Sequence, residues 1–147
     1  MLKLTSEQSA YLAGFIDGDG SIYVRLKPNS SYRYGYQIAP YIILFQSAKD
    51  ENNFKKIVNL LNCGYMRRRK DGILEYTIGT QAAILELISV IKPYLILKRK
   101  QADLMEKIIK SKREVKNAKE FQRLMDLVNQ FANLNYSKKR ITHKLTP

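Results

Sequence analysis

This sequence predicts an α+β fold, α-ββ-α-ββ-α-α, in which a four-stranded antiparallel sheet carries helices on one face and leaves a saddle open on the other. Three observations lead there. A ββα pattern occurs twice within one chain of 147 residues, the strands are basic or polar on one side, and turn residues close each strand pair. Helices can cover the apolar side, and the basic side is then left uncovered.

The elements follow in order. Thr5-Ser6-Glu7-Gln8 reads as a capping box, with Thr5 three residues before Gln8, and predicts a helix over residues 6–17 ended by Gly18-Asp19-Gly20. From Ser21 to Lys27 the chain alternates, Ile22, Val24 and Leu26 against Tyr23, Arg25 and Lys27, which is the period of a half-buried strand. Lys27-Pro28-Asn29-Ser30-Ser31 is a turn, and residues 36–46 form a second strand in which Pro40 argues for a sheet edge. Phe54, Ile57, Leu60 and Leu61 are spaced for a helix over residues 50–62, with Gly64 as its stop. Residues 65–70 and 73–78 form a hairpin around Asp71-Gly72, a two-residue turn signal. A helix over residues 80–91 is stopped by Pro93, and amphipathic helices follow over 94–112 and 117–135. Residues 1–147 read as one domain, with 136–147 a basic tail.

Charge narrows the partners. Twenty-six Lys and Arg against 13 Asp and Glu leave a formal net charge of +13, which a polyanion offsets most readily. Nucleic acid leads and anionic membrane comes second, since no helix is clearly basic-amphipathic with an aromatic insertion face. The apolar stretch Ala82 to Ile91 is short of a membrane span and broken by Glu86, and Met1 to Ser9 lacks the pattern of a signal peptide. The expectation is a soluble protein of a reducing compartment; frequent Lys, Ile, Asn and Tyr suit an AT-rich organellar gene. Cys63 is the one cysteine and His143 the one histidine, so an intrachain disulfide, a zinc cluster and a His-dependent nucleophile are all disfavoured. Catalysis would then rest on carboxylates, a metal ion and basic groups.

Leu12-Ala13-Gly14-Phe15-Ile16-Asp17-Gly18-Asp19-Gly20 resembles the signature of the LAGLIDADG homing endonucleases. The resemblance extends through Asp17 to Ile22, Lys27-Pro28-Asn29, Gln37, Gln46, Gly64-Tyr65 and the Lys98-to-Leu104 segment, and it points to the single-motif, homodimeric group. It implies that two such helices pack about a twofold axis, with Leu12, Ala13, Gly14, Ile16 and Asp17 at the interface. Ala13 and Gly14 have little side chain, so a second backbone can come close. With one motif copy, the other helix must come from a second chain. A calcium-loop reading of Asp17-Gly18-Asp19-Gly20 fails, because Ile22 and Pro28 stand where such a loop needs Gly and Glu.

Asp19 falls at a helix C-terminus, where unpaired carbonyls already carry partial negative charge. A carboxylate there calls for a cation. Its twin across a dimer axis sharpens the need, and hard oxygen donors suit Mg²⁺, with Mn²⁺ able to substitute. The resemblance implies that Asp19 and the Gly18 carbonyl bind the metal, that Gln46 orders the attacking water, and that Lys98 stabilises phosphate charge. Where relatives carry a further basic residue, ungapped alignment places Asp50, and the adjacent Lys49 is the candidate substitute. Duplex DNA would lie on the open face. Arg67 and Arg69 are candidates for reading guanine and Gln37 for adenine; Tyr23, Arg25, Lys27, Asn29, Ser31, Tyr32 and Tyr65 are further candidates. Ala39, Tyr41, Ile43 and Phe45 are less polar than the resemblance implies, which leaves contact with thymine methyls or a shifted register open. Lys138, Lys139, Arg140 and Thr142 are expected on backbone phosphates. The resemblance implies cleavage of a long pseudopalindromic site. A maturase acting on its host intron RNA is the alternative, and a DNA-binding regulator without cleavage is a third class.

Overall fold

The computed structural model describes residues 2–135; Lys138, Lys139, Arg140 and Thr142 lie outside the described residues. The order is α1 (Ser6–Asp19), β1 (Gly20–Pro28), β2 (Tyr36–Ser47), α2 (Glu51–Val58), β3 (Tyr65–Arg68), β4 (Ile73–Ile78), α3 (Gln81–Ile91), α4 (Arg99–Lys112), α5 (Ala118–Asn129) and the short α6 (Phe131–Leu134). The four strands form one antiparallel sheet in the order β1-β2-β4-β3. Its apolar face, with Ile22, Val24, Leu26, Ile38, Ile42, Leu44, Leu74 and Ile78, packs with Leu12, Ile16, Ile84, Leu87, Ile88, Met105 and Ile108 into one core. Each of the larger side chains contributes about 1.5–3 kcal/mol by leaving water. The helix face and the open face are those the alternation predicts.

The capping box is present: Gln8 N–H donates to Thr5 Oγ1 at 3.1 Å, and Thr5 N–H donates to Gln8 Oε1 at 3.0 Å. α1 runs past its expected end to Asp19 because Gly20 N–H still donates to the Ile16 carbonyl. Only glycine permits that finish. A Cβ on Gly20 would lie 2.7 Å from Ile16 Cα.

Other boundaries move for identifiable reasons. Pro40 lies in an interior strand, contrary to the edge expectation, yet β4 reaches only Ile42 to Ser47 of β2. At Pro40 the side away from β1 has no strand beside it, so β2 is an edge locally and tolerates the missing N–H. The β3–β4 hairpin closes through Lys70-Asp71-Gly72 rather than two residues: Arg69 N–H donates to Ile73 O at 2.8 Å and Gly72 N–H to Arg69 O at 3.2 Å. Gly72, at φ 81°, takes the left-handed position of that longer turn. α2 ends at Val58 rather than near residue 62, and α3 keeps its expected range with Thr80 as N-cap. The helix expected over 94–112 begins only at Arg99, and the one expected over 117–135 divides into α5, capped by Asn117, and α6.

Candidate functional site

The late start of α4 builds the site. Asp17, in the last turn of α1, accepts Ile96 N–H on Oδ2 at 2.8 Å and Lys98 N–H on Oδ1 at 3.0 Å. Lys98 Nζ then donates to the Asp17 carbonyl at 2.6 Å. Lys98 N–H, spent on Asp17, cannot bond the Tyr94 carbonyl as a helix running from residue 94 would require, so residues 95–98 stay irregular. The ammonium is thereby held against the C-terminal carbonyls of α1, where the helix dipole favours a cation.

Three expected residues come together at this end of the sheet. β1 starts at Gly20, paired with Leu44. Asp19 precedes that pair and Gln46 follows it on the neighbouring strand, while Lys98 is tied to the turn of helix that carries Asp19. Asp19 is exposed, and among the described residues it has no ion-pair or side-chain hydrogen-bond partner. Gln46 faces the helix side beside Tyr11 and Phe15 of α1, with its Oε1 accepting Ser47 N–H at 2.8 Å. Its amide nitrogen is therefore left to donate. Lys49 is exposed in the single turn after β2, its N–H bonded to Ser47 Oγ at 3.2 Å, whereas Asp50 Oδ1 accepts from Asn53 Nδ2 at 2.8 Å. Asp50 thus serves the start of α2.

Metal donors are few within one chain. Among the described residues no three His, Cys, Asp or Glu side chains gather as a ligand set. One exposed carboxylate beside helix-end carbonyls suits a hard divalent ion whose remaining ligands are phosphate and water.

The expected interface residues divide by face. Leu12, Ala13 and Ile16 are fully buried inside the protomer, so the expectation that they meet a second subunit is corrected: this stripe of α1 belongs to the chain's own core. Asp17 is half-buried and spends its carboxylate on the Ile96–Lys98 loop. The exposed stripe is Tyr11, Gly14 and Gly18, and a Cβ at either glycine would meet nothing within 4 Å. The glycines therefore answer no crowding inside the chain. Near them Ile96 is 84% exposed, Leu97 72% and Tyr11 57%.

The open face carries the other candidates. The register sets Tyr23 opposite Tyr41, Arg25 opposite Ala39, and Lys27 opposite Gln37. Ile43 and Phe45 continue this face opposite Thr77 and Glu75, beside Tyr65 and Arg67 of β3. Ala39, Tyr41, Ile43 and Phe45 therefore do lie on the open face, and a shifted register is excluded. Ala39 and Ile43 are nonetheless buried among their taller neighbours. The β1–β2 loop is fixed by Asn29 Oδ1, which accepts Ser31 N–H at 3.0 Å and Ser31 Oγ–H at 2.7 Å. Tyr32 is exposed on that loop.

One member of the face went unnoticed in the sequence. Glu75 holds Arg67 at 3.0 Å and Arg69 at 3.5 Å, while Arg69 also meets Asp71 at 2.6 Å. The longer hairpin turn causes this, since a two-residue turn would have set Glu75 against Arg68. Gly72 after Lys70-Asp71 was the available signal.

Fold, motif and site together define an endonuclease class. The chain belongs to the LAGLIDADG endonuclease family, whose profile matches residues 12–110. It is similar to the DNA endonuclease I-CreI of Chlamydomonas reinhardtii, 35% identical over 141 residues, covering 95% of this chain and 86% of that one. It is also similar to the DNA endonuclease I-CvuI of Chlorella vulgaris, 32% identical over 131 residues, with 89% and 81% covered. A crystal structure of I-CvuI, solved with Mg on an I-CreI target whose DNA is not cleaved, matches with a TM-score of 0.85 at 31% identity. That match covers 92% of this chain and 86% of the other.

Proposed function

We propose that this chain is a site-specific homing endonuclease that acts as a homodimer and makes a metal-dependent double-strand break in a long pseudopalindromic DNA site. The observation that carries the reading is the exposed Asp19, at the end of a helix with a glycine stripe, where Gln46 and Lys98 join it at one end of a basic open sheet. The Gly14–Gly18 stripe with Tyr11, Ile96 and Leu97 would form the subunit contact, burying apolar area that is costly in water. That contact brings two Asp19 carboxylates together. Each subunit lays its open face along one half-site; β2 has 12 residues, roughly 40 Å at strand rise, enough for one turn of duplex.

Asp19 and the Gly18 carbonyl would hold the ion, Mg²⁺ by preference. When bound, such an ion activates water and offsets charge on the phosphate. The chain's own groups do the rest. The Gln46 amide orients the incoming water, and the Lys98 ammonium, with two donors left beyond its bond to Asp17, meets the charge that builds on phosphate oxygen. Lys49, exposed beside them, is the further basic group. Arg25, Gln37, Tyr65, Arg67 and Arg69 face the major groove, with Asn29, Ser31 and Tyr32 at its outer end.

Asp19→Asn tests the assignment. It is expected to keep binding to a site recovered from a randomised duplex library while Mg²⁺-dependent cleavage falls by at least a hundredfold, the scale on which charge stabilisation at such centres acts. Cleavage at the native rate by that variant would end the assignment.

A further inference from the structure

Two side chains on the open face are joined across β1 and β2. Lys27 Nζ donates to the Tyr41 hydroxyl at 2.6 Å, and its ammonium lies 5.2 Å from the Tyr41 ring centroid. The two residues are two rows apart on the ladder, since Lys27 faces Gln37 and Tyr41 faces Tyr23. The row between them is Arg25 and Ala39. Ala39 is short and buried, so the lysine stem can run along the strand to reach the phenol. The ring packs on Tyr23 at 5.4 Å between centroids, and Gly79 runs close by, since a Cβ there would come 3.5 Å from the ring edge.

The bond decides the polarity of what this pair shows to a ligand. An ammonium has three hydrogens and no lone pair, so the phenol oxygen must accept from it. The phenol's own hydrogen is then turned away from Lys27, and Lys27 keeps two unspent donors. The joined head is weighted toward donors, two on Lys27 and one on Tyr41 against the single lone pair left on the phenol oxygen. In the major groove guanine alone presents two acceptors on one edge, N7 and O6. Adenine sets an amino donor beside its acceptor, thymine sets a methyl beside its acceptor, and cytosine shows an amino donor.

We propose that Lys27 and Tyr41 act as one guanine-reading unit in each half-site, with Tyr41 a specificity-determining residue for the cleavage reaction. The proposal rests on the DNA-binding role proposed for this face. The unit sits between the β1–β2 loop, which holds Asn29 and Tyr32, and the row that holds Arg67. It therefore reads a base in the middle of the half-site.

The test is a binding selection from a duplex library randomised across one half-site, run on the native chain, Tyr41→Phe and Lys27→Met, with thermal unfolding measured alongside. Tyr41→Phe keeps the ring and its packing and removes only the oxygen. The native chain is expected to prefer guanine at one mid-half-site position by about tenfold. Tyr41→Phe and Lys27→Met both lose that preference at that position, leave the others unchanged, and melt as the native chain does. An unchanged profile in Tyr41→Phe overturns the proposal while leaving DNA recognition intact. So does a uniform weakening across all positions, which marks a phosphate contact. A native chain that selects no sequence at all overturns this proposal and the DNA-reading role together.

Discussion

The tie between Asp17 and the loop before α4 makes the most exacting prediction. Asp17→Asn keeps the shape of the side chain but replaces one acceptor oxygen with an amide that only donates. Ile96 N–H at 2.8 Å and Lys98 N–H at 3.0 Å then compete for one oxygen, and one of them faces another donor. A hydrogen bond to a charged group contributes about 1.5–3 kcal/mol. Asp17 is half-buried, so we take about 2 kcal/mol. For a chain of this size that lowers the unfolding midpoint by about 4–8 °C. Opening of the loop becomes about thirtyfold more frequent, since each 1.4 kcal/mol is about tenfold. Hydrogen exchange at the Ile96 and Lys98 amides reads this directly, at subunit concentrations matched to the native chain. Cleavage should fall too, because the same loop seats Lys98 Nζ on the Asp17 carbonyl. Native exchange rates at both amides with a native midpoint would refute the argument.

Gly20→Ala should cost about 3 kcal/mol in urea unfolding, because its new Cβ meets the Ile16 backbone at 2.7 Å and neither strand nor helix can yield. Glu75→Gln frees Arg67 and leaves Arg69 on Asp71 alone; the midpoint should move by the equivalent of at most about 1 kcal/mol, as exposed ion pairs do. In competition binding the same variant should hold non-specific DNA more tightly and discriminate less at the base that Arg67 meets. Burial, and secondarily the Glu86 charge, push the Cys63 thiol above its ordinary value of 9.0. Iodoacetamide at pH 8 should therefore alkylate the folded chain more slowly than the chain in urea; equal rates would contradict the burial.

What could be read from the sequence was local. The capping box of α1, the two-residue alternation of β1 and the glycine-rich helix end are each written within a few neighbouring residues, and each holds. The family resemblance rested on nine contiguous residues with downstream matches, and Asp19 and Gln46 lie on either side of the Gly20–Leu44 pair while Lys98 Nζ bonds the Asp17 carbonyl. The errors came from partners far along the chain. Tyr94 to Lys98 has helical character, but Asp17, about eighty positions earlier, takes the Lys98 amide that a helix from Tyr94 would have bonded to the Tyr94 carbonyl. Pro40 looked like a sheet margin because the short reach of β4 is not visible in β2 itself. The motif's small and large residues lie one step apart on the helix, and only the packed core shows that Leu12, Ala13 and Ile16 turn inward while Gly14 and Gly18 turn out.

The strand order has a consequence for anyone altering this surface. β1 and β3 are the outer strands, and β3 is only four residues long. Outer strands expose free backbone groups that can recruit a strand from another molecule, and cationic side chains or proline blunt that tendency. Here Arg67 and Arg68 guard one margin, while Arg25, Lys27 and Pro28 guard the other. Neutralising these arginines to retarget the groove also removes the repulsion that keeps separate sheets from zippering together. Redesigned variants should therefore restore a positive charge elsewhere on the same outer strand to stay dispersed in solution.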